Sequence, residues 1–305
     1  MTDACWHDDV DIDRALVGRL IANQFPQWAG LPITRVHSAG TDNAMYRLGD
    51  DMAVRLPRVP SAAGNVDTEQ RWLPWLAPQV PLAVPAPLGR GVPDEGFPYP
   101  WSVYRWLDGE NAVDEPIADL RDAAVRLGRF VAALRRCDAT GGPPSFRGGP
   151  VSALDGDVRA AIRSLGADGT VDGDLAIAAW ETALSAPLWH GAPVWVHADL
   201  YPVNLLVRSG RLSAVIDFGG VGVGDPACDM LPAWALLTAQ TRDLFRAEVD
   251  VDDATWARGR GWGLGLGLGA VHVYRVTNPV LAAIGRHAVA EAIADYRGAV
   301  GDCSQ

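Results

Sequence analysis

The stretch that decides the fold reads Val196-His197-Ala198-Asp199-Leu200-Tyr201-Pro202-Val203-Asn204-Leu205-Leu206-Val207, with Asp217-Phe218-Gly219 close behind. Two short apolar segments, 205–207 and 214–216, flank Ser209-Gly210-Arg211-Leu212. If 204–208 and 213–217 are antiparallel strands around that connection, 208 faces 213 and 204 faces 217. Asn204 and Asp217 are then expected at the open end of one hairpin, with Asp199 one short loop upstream. Phosphoryl transfer needs a carboxylate beside the acceptor hydroxyl and oxygen ligands that hold Mg²⁺ against the phosphates. Asp199 suits the first role, and Asn204 and Asp217 suit the second. His197 is expected to hydrogen-bond the loop and not to act as the base.

Upstream of this stretch, Ile12, Ala15, Leu16, Leu20, Ile21 and Phe25 recur at helical spacing, with Asp11 or Asp13 as the N-cap and Pro26 just past the end. The period then changes. Strands are expected at 33–36, 44–48 and 52–56, separated by Gly40 and by Gly49-Asp50-Asp51. A helical pattern returns at 66–76. The proline-rich stretch 74–100 should exclude regular helix and lead into a strand at 101–106. Beyond Leu107-Asp108-Gly109-Glu110 the character becomes helical. Leu120, Ala123, Ala124, Leu127, Phe130, Val131 and Leu134 form one stripe. Further helices are expected near 172–186, 227–248 and 281–297, and a strand at 194–196. Segment 262–274 reads as a closely packed helix or a loop-helix junction, too short to span a bilayer. Segment 147–174, rich in Gly and Asp, reads as a loop with partial order. Its Asp155, Asp157, Asp168, Asp172 and Asp174 are expected to be solvated or to attract an amine-rich substrate. Trp72, Trp75, Trp101 and Trp106 are expected in the core or between lobes.

Composition narrows the field further. The chain has 305 residues, 49% of them hydrophobic, enough for one large domain or two lobes. A net charge of -11 argues against nucleic-acid and anionic-membrane partners. Cys5, Cys137, Cys228 and Cys303 form no CxxC pair and are expected as free thiols in a reducing cytoplasm. Residues 1–13 are acidic and lack the apolar run of a signal peptide.

His-x-Asp-x-x-x-x-Asn followed by Asp-Phe-Gly resembles the catalytic and metal segments of eukaryotic-like kinases. The variant VHADLYPVNLLV, then AVIDFGGVGVGDPACDM, looks like the aminoglycoside phosphotransferase family, which includes macrolide, choline and other small-molecule kinases. That resemblance implies an α+β, two-lobed, protein-kinase-like fold, with a small β-rich N-lobe over 1–106 and a larger, mainly helical C-lobe over 107–305. It implies an enzyme transferring the γ-phosphoryl group of ATP or GTP, with Mg²⁺, to a hydroxyl of a small molecule. The acceptor would be aminoglycoside-like; a macrolide, an amino alcohol or a sugar, or a silent nucleotide-binding scaffold, are the alternatives. By the same resemblance Asp199 is the catalytic base, and Asn204 and Asp217 are the metal ligands. Arg55, where the family usually carries lysine, would bind the nucleotide with its partner Glu69. The backbone of Arg105 and Leu107 would take the base, and Ser38, Thr41 and Asn43 would lie over the phosphates. Gly224-Asp225-Pro226 and Asp229 would brace the loop. The phosphate loop departs from the kinase pattern, with Gly40 alone in place of GxGxxG.

Overall fold

The computed structural model describes residues 12–36 and 42–302. The chain divides into two compact units, one of residues 1–78 and 84–108, the other of residues 79–83 and 109–305. Ser38 and Thr41 lie outside the described residues.

In the first unit, helix α1 (Arg14–Gln24) starts where Asp13 Oδ1 accepts the Leu16 N–H at 2.7 Å, as its sequence predicts. An antiparallel sheet follows, made of β1 (Ile33–Val36), β2 (Asn43–Leu48), β3 (Met52–Pro57), β4 (Pro87–Gly91) and β5 (Trp101–Arg105), in the order β1-β2-β3-β5-β4. Strand alternation buries Ala44, Tyr46 and Leu48 of β2, which join Leu20, Ile21, Val54, Trp101 and Val103 in one core. Helices α2 (Pro60–Ala63) and α3 (Asn65–Leu76) connect β3 to β4. Helix α3 bears out the helical pattern at 66–76 and carries Pro74 inside it, so only the first residues of 74–100 depart from the expected exclusion of regular helix. Leu73 and Leu76 are both buried. At about 1.5–3 kcal/mol each, their burial offsets the roughly 3 kcal/mol that an interior proline costs.

The second unit holds β6 (Glu110–Asn111), α4 (Leu120–Arg136), α5 (Asp155–Ala167), α6 (Gly173–Leu184), β7 (Val194–Val196), β8 (Leu205–Arg208), β9 (Arg211–Val215) and β10 (Gly222–Gly224). It continues with α7 (Pro232–Ala235), α8 (Ala239–Val249), α9 (Asp253–Tyr274) and α10 (Pro279–Asp302). Its strands form two small sheets, β6-β8-β9 and β10-β7. The stripe of α4 is buried from Ala123 to Leu134 as its spacing predicts, while Leu120 at its start is only half-buried.

Two expectations are corrected here. Segment 147–174 is not a loop throughout, since it contains α5. Val158, Ala161, Ile162 and Leu165 give that helix one buried face, and Asp155 and Asp157 favour its N-terminal dipole. The aspartates of this segment are used by the fold. Asp155 accepts from Trp180 Nε1 at 2.8 Å, Asp172 caps α6, and Asp168 pairs with Arg275. The helix expected over 227–248 is three pieces: a 3-10 turn at Pro226–Met230, then α7 and α8. Pro226 and Pro232 each occupy the start of a new turn, where the missing N–H costs nothing. Among the described residues, no helix is long and apolar enough to cross a membrane. Cys137 and Cys228 are buried free thiols.

Candidate functional site

The β8–β9 hairpin closes more tightly than the assumed register. Leu205 pairs with Val215 and Leu206 with Ala214; a bulge then puts Val207 opposite Leu212 and Arg208 opposite Arg211. Ser209 and Gly210, with φ of 52° and 74°, form the turn by themselves. Two consecutive left-handed residues make a type I′ turn, whose twist matches the strands. Neither 208–213 nor 204–217 is therefore a pair. The Ile216 N–H donates to the Asn204 carbonyl at 2.9 Å, so Asp217 lies one residue beyond the pairing. Both residues still flank the open end of the hairpin. Asn204 closes a 3-10 turn that enters β8. Asp217, at a φ of 60°, caps the next turn by accepting the Gly219 N–H at 3.3 Å.

Between β7 and that 3-10 turn lies the loop carrying Asp199. His197 is fully buried. Its Nδ1 accepts the Asp199 N–H at 3.2 Å, which puts the ring proton on Nε2, facing the Ile216 carbonyl at 3.1 Å. Burial lowers its pKa, so the ring is neutral and both nitrogens are occupied. His197 thus ties the loop to the β9 end, with its ring edge-on to Phe218 at 4.6 Å. Asp229 accepts the His197 N–H at 2.8 Å and the Ala198 N–H at 2.7 Å. Asp225 caps the Pro226–Met230 turn and holds Arg258 of α9 in a buried fork, at 2.8 Å to Nε and 3.1 Å to Nη2. Both aspartates therefore brace the loop and its surroundings.

The Asp199 carboxylate is held on both oxygens. Asn204 Nδ2 donates to Oδ2 at 2.8 Å and to the Asp199 carbonyl at 2.9 Å. Arg147 Nη1 pairs with Oδ1 and also donates to the Ala198 carbonyl at 2.8 Å. A carboxylate offers about four lone-pair sites, so each oxygen keeps one for another donor. Arg147 was not singled out in the sequence, where it is one residue of a Pro/Gly-rich stretch with no periodicity to mark it. The chain around it is anchored beside β10. Ser145 N–H donates to the Val223 carbonyl at 3.1 Å, Val223 N–H to the Pro143 carbonyl at 2.7 Å, and Ser145 Oγ to the Gly220 carbonyl at 2.9 Å.

In the first unit, Arg55 of β3 and Glu69 of α3 come together as an ion pair, Nη1 to Oε1 at 2.5 Å. Glu69 is buried and also accepts the Tyr104 hydroxyl. With its amide turned to suit its neighbours, Asn43 accepts from Arg55 Nε at 3.2 Å and Nη2 at 2.9 Å. The guanidinium is therefore held from two sides. The Arg105 N–H is used by the Ala86 carbonyl at 2.9 Å, and the Trp106 N–H by the Asp51 carbonyl at 2.7 Å. The Leu107 N–H has no hydrogen bond among the described residues.

Residues 33–262 match the phosphotransferase enzyme family. No curated protein matches the chain in sequence. Solved structures do resemble it. A GDP complex of a mutant aminoglycoside 2′-phosphotransferase-IIIa is 20% identical, with a TM-score of 0.70 over 94% of this chain and 99% of that one. The GDP and kanamycin complex of APH(2″)-IIIa is 18% identical, with a TM-score of 0.67 over 92% and 98% of the two chains. Macrolide 2′-phosphotransferase MphH from Brachybacterium faecium, as apoenzyme, is 24% identical, with a TM-score of 0.58 over 92% and 97%. At such identities the likeness carries the kinase-like α+β fold. The family match itself runs from β1 into α9, across most of the chain, and on that ground this protein belongs to the phosphotransferase enzyme family.

Proposed function

We propose that this protein transfers the γ-phosphoryl group of a purine nucleoside triphosphate, ATP or GTP, to a hydroxyl of a small acceptor of the aminoglycoside kind. The observation that carries this reading is the Asp199 carboxylate, oriented through both oxygens by Asn204 and Arg147 and still able to accept a hydroxyl proton. The structural neighbours include a GDP complex and one with kanamycin, which supports a nucleotide and a hydroxylated acceptor.

Mg²⁺ suits the residues present. Asn204 commits its nitrogen to Asp199, which leaves Oδ1 without a donor among the described residues. Asp217 contributes a carboxylate nearby in the sequence. Among the described residues no cluster of three or more His, Cys, Asp or Glu forms a protein cage for a metal. Mg²⁺ is ordinarily held by one or two protein oxygens together with substrate phosphates, so this donor set fits it. When bound, it would neutralise phosphate charge.

The chain's own residues do the rest. In the first unit Arg55, held by Glu69 and Asn43, presents positive charge to the α- and β-phosphates, and the Arg105 carbonyl and Leu107 amide serve the base. In the second unit Asp199 orients the acceptor hydroxyl and takes its proton. In a loose transition state that proton moves late, so orientation matters more than basicity.

A second reading, a macrolide-like acceptor with less positive charge, is favoured by Arg147, whose fixed cation sits against Asp199.

The test incubates the protein with Mg²⁺, ATP or GTP and a panel of aminoglycosides, macrolides and hydroxylated metabolites, and detects product by mass spectrometry. Asp199→Asn should lower turnover by roughly 10²–10⁴-fold. Asp217→Ala should abolish metal-dependent turnover. A fully active Asp199→Asn protein would remove the base from the proposal.

A further inference from the structure

Phe146 has an environment unlike that of any other aromatic side chain described. It is 67% exposed, where Trp101, Trp180, Trp195, Trp234, Phe97, Phe130, Phe218 and Phe245 are fully buried. Exposing a phenylalanine forgoes the stabilisation that burial would supply, so an exposed ring held in place is out of the ordinary. This ring is held. The Arg147 guanidinium lies over its face, Cζ to centroid 4.6 Å. Its edge rests on the Asp-Phe-Gly turn, where a Cβ on Gly220 would fall 2.5 Å from Phe146 Cε1. The backbone on either side is pinned, through Ser145 to Val223 and Gly220 and through the Gly148 carbonyl to the Asp225 N–H at 2.9 Å.

These contacts fix where the ring stands. The guanidinium that stacks on Phe146 is the one that pairs with Asp199 Oδ1. Ring, cation and carboxylate therefore form one continuous row, with the turn after Asp217 along its side. The part of the ring that the guanidinium and Gly220 do not cover is open to solvent. Aromatic side chains in small-molecule sites commonly supply apolar contact, while a few polar groups set orientation.

We propose that Phe146 is the stacking platform for the acceptor, taking the apolar C–H face of a glycosyl or similar saturated ring. Arg147, between platform and carboxylate, fixes the ring through its face and the Asp199 carboxylate through its ion pair. This assignment rests on the kinase reading of the site and adds to it the residue that recognises the acceptor ring. Gly220 belongs to the same device, because a side chain there would displace the phenyl ring.

The test measures kcat and KM for acceptor and nucleotide in the wild type, Phe146→Ala, Phe146→Trp and Phe146→Leu. The acceptors are a neutral glycoside, a singly charged amino sugar and a poly-ammonium aminoglycoside. Phe146→Ala should raise the acceptor KM by about tenfold or more, with kcat and nucleotide KM within about twofold, since it removes ring contact and leaves Asp199 in place. Phe146→Trp should restore the acceptor KM and Phe146→Leu should not. Far-ultraviolet circular dichroism and thermal unfolding of each variant separate this pattern from loss of fold, which would lower kcat as well. An acceptor KM unchanged in Phe146→Ala, with a wild type that turns over, overturns the platform alone. A wild type that phosphorylates none of the three, with either nucleotide, overturns the kinase reading and the platform with it.

Discussion

Ala198 sits at a φ of 69°, a region alanine leaves unless its backbone is held there. Here it is held at both ends, its N–H by Asp229 and its carbonyl by Arg147. The loop before Asp199 thus depends on a buried carboxylate. Burial pushes Asp229 up to about 7, against the two amide bonds that pull it down. An acid whose folded pKa lies above its unfolded value adds stability that is complete below about 4 and lost as pH rises through about 7. Relative to Asp229→Asn, which does not titrate, the wild type should lose up to about 4 kcal/mol between those limits, at about 1.4 kcal/mol per pH unit. Urea unfolding of both proteins at pH 5 and pH 8.5 measures this, and a difference independent of pH would show that Asp229 stays ionised in the folded state. The residue types at this site were legible in the sequence because the chemistry needs them at close spacing. Arg147 was not, because it reaches Asp199 from more than fifty positions away and no local pattern marks it.

Elements declare themselves through periodicity when one face is buried, as the α4 stripe and the alternation of β2 do. The α5 helix has the same kind of face, but its glycines and aspartates read as a loop. The β8–β9 register escaped for a different reason: a bulge and a two-residue turn cannot be told from a longer connection by composition. The glycines of α9 follow a packing rule. A Cβ on Gly285 of α10 would lie 2.7 Å from the Gly267 carbonyl, and one on Gly267 would lie 3.0 Å from the Gly285 carbonyl. Alanine improves helix propensity by about 1 kcal/mol, but forcing two backbones apart costs about 1–3 kcal/mol. Gly285→Ala should therefore lower stability, by up to about 2 kcal/mol, in thermal or denaturant unfolding. Gly298→Ala, where a Cβ would meet nothing within 4 Å, should raise it slightly. Equal effects at the two positions would mean that α9 and α10 do not depend on this close approach.

For the whole molecule, the expected consequence of the proposed function is linkage. Mg²⁺ with ATP or GTP at about a hundredfold over Kd should stabilise the fold by about 2.7 kcal/mol, read as a rise in Tm. Asp217→Ala should lose the part of that rise that depends on Mg²⁺. No shift with either nucleotide would count against nucleotide binding. The sequence by itself determined the α+β class, most of the strands and helices, and the closeness of Asp199 to Asn204, because burial periodicity and tightly spaced residues are written within short windows. Only the tertiary structure decided that Arg147 grips Asp199, which atoms Asp229 and Asp225 hold in the loop and in α9, and that Phe146 stands exposed beside Arg147. Those contacts join segments distant along the chain, and their geometry comes from packing against β7 and β10, which no local pattern encodes.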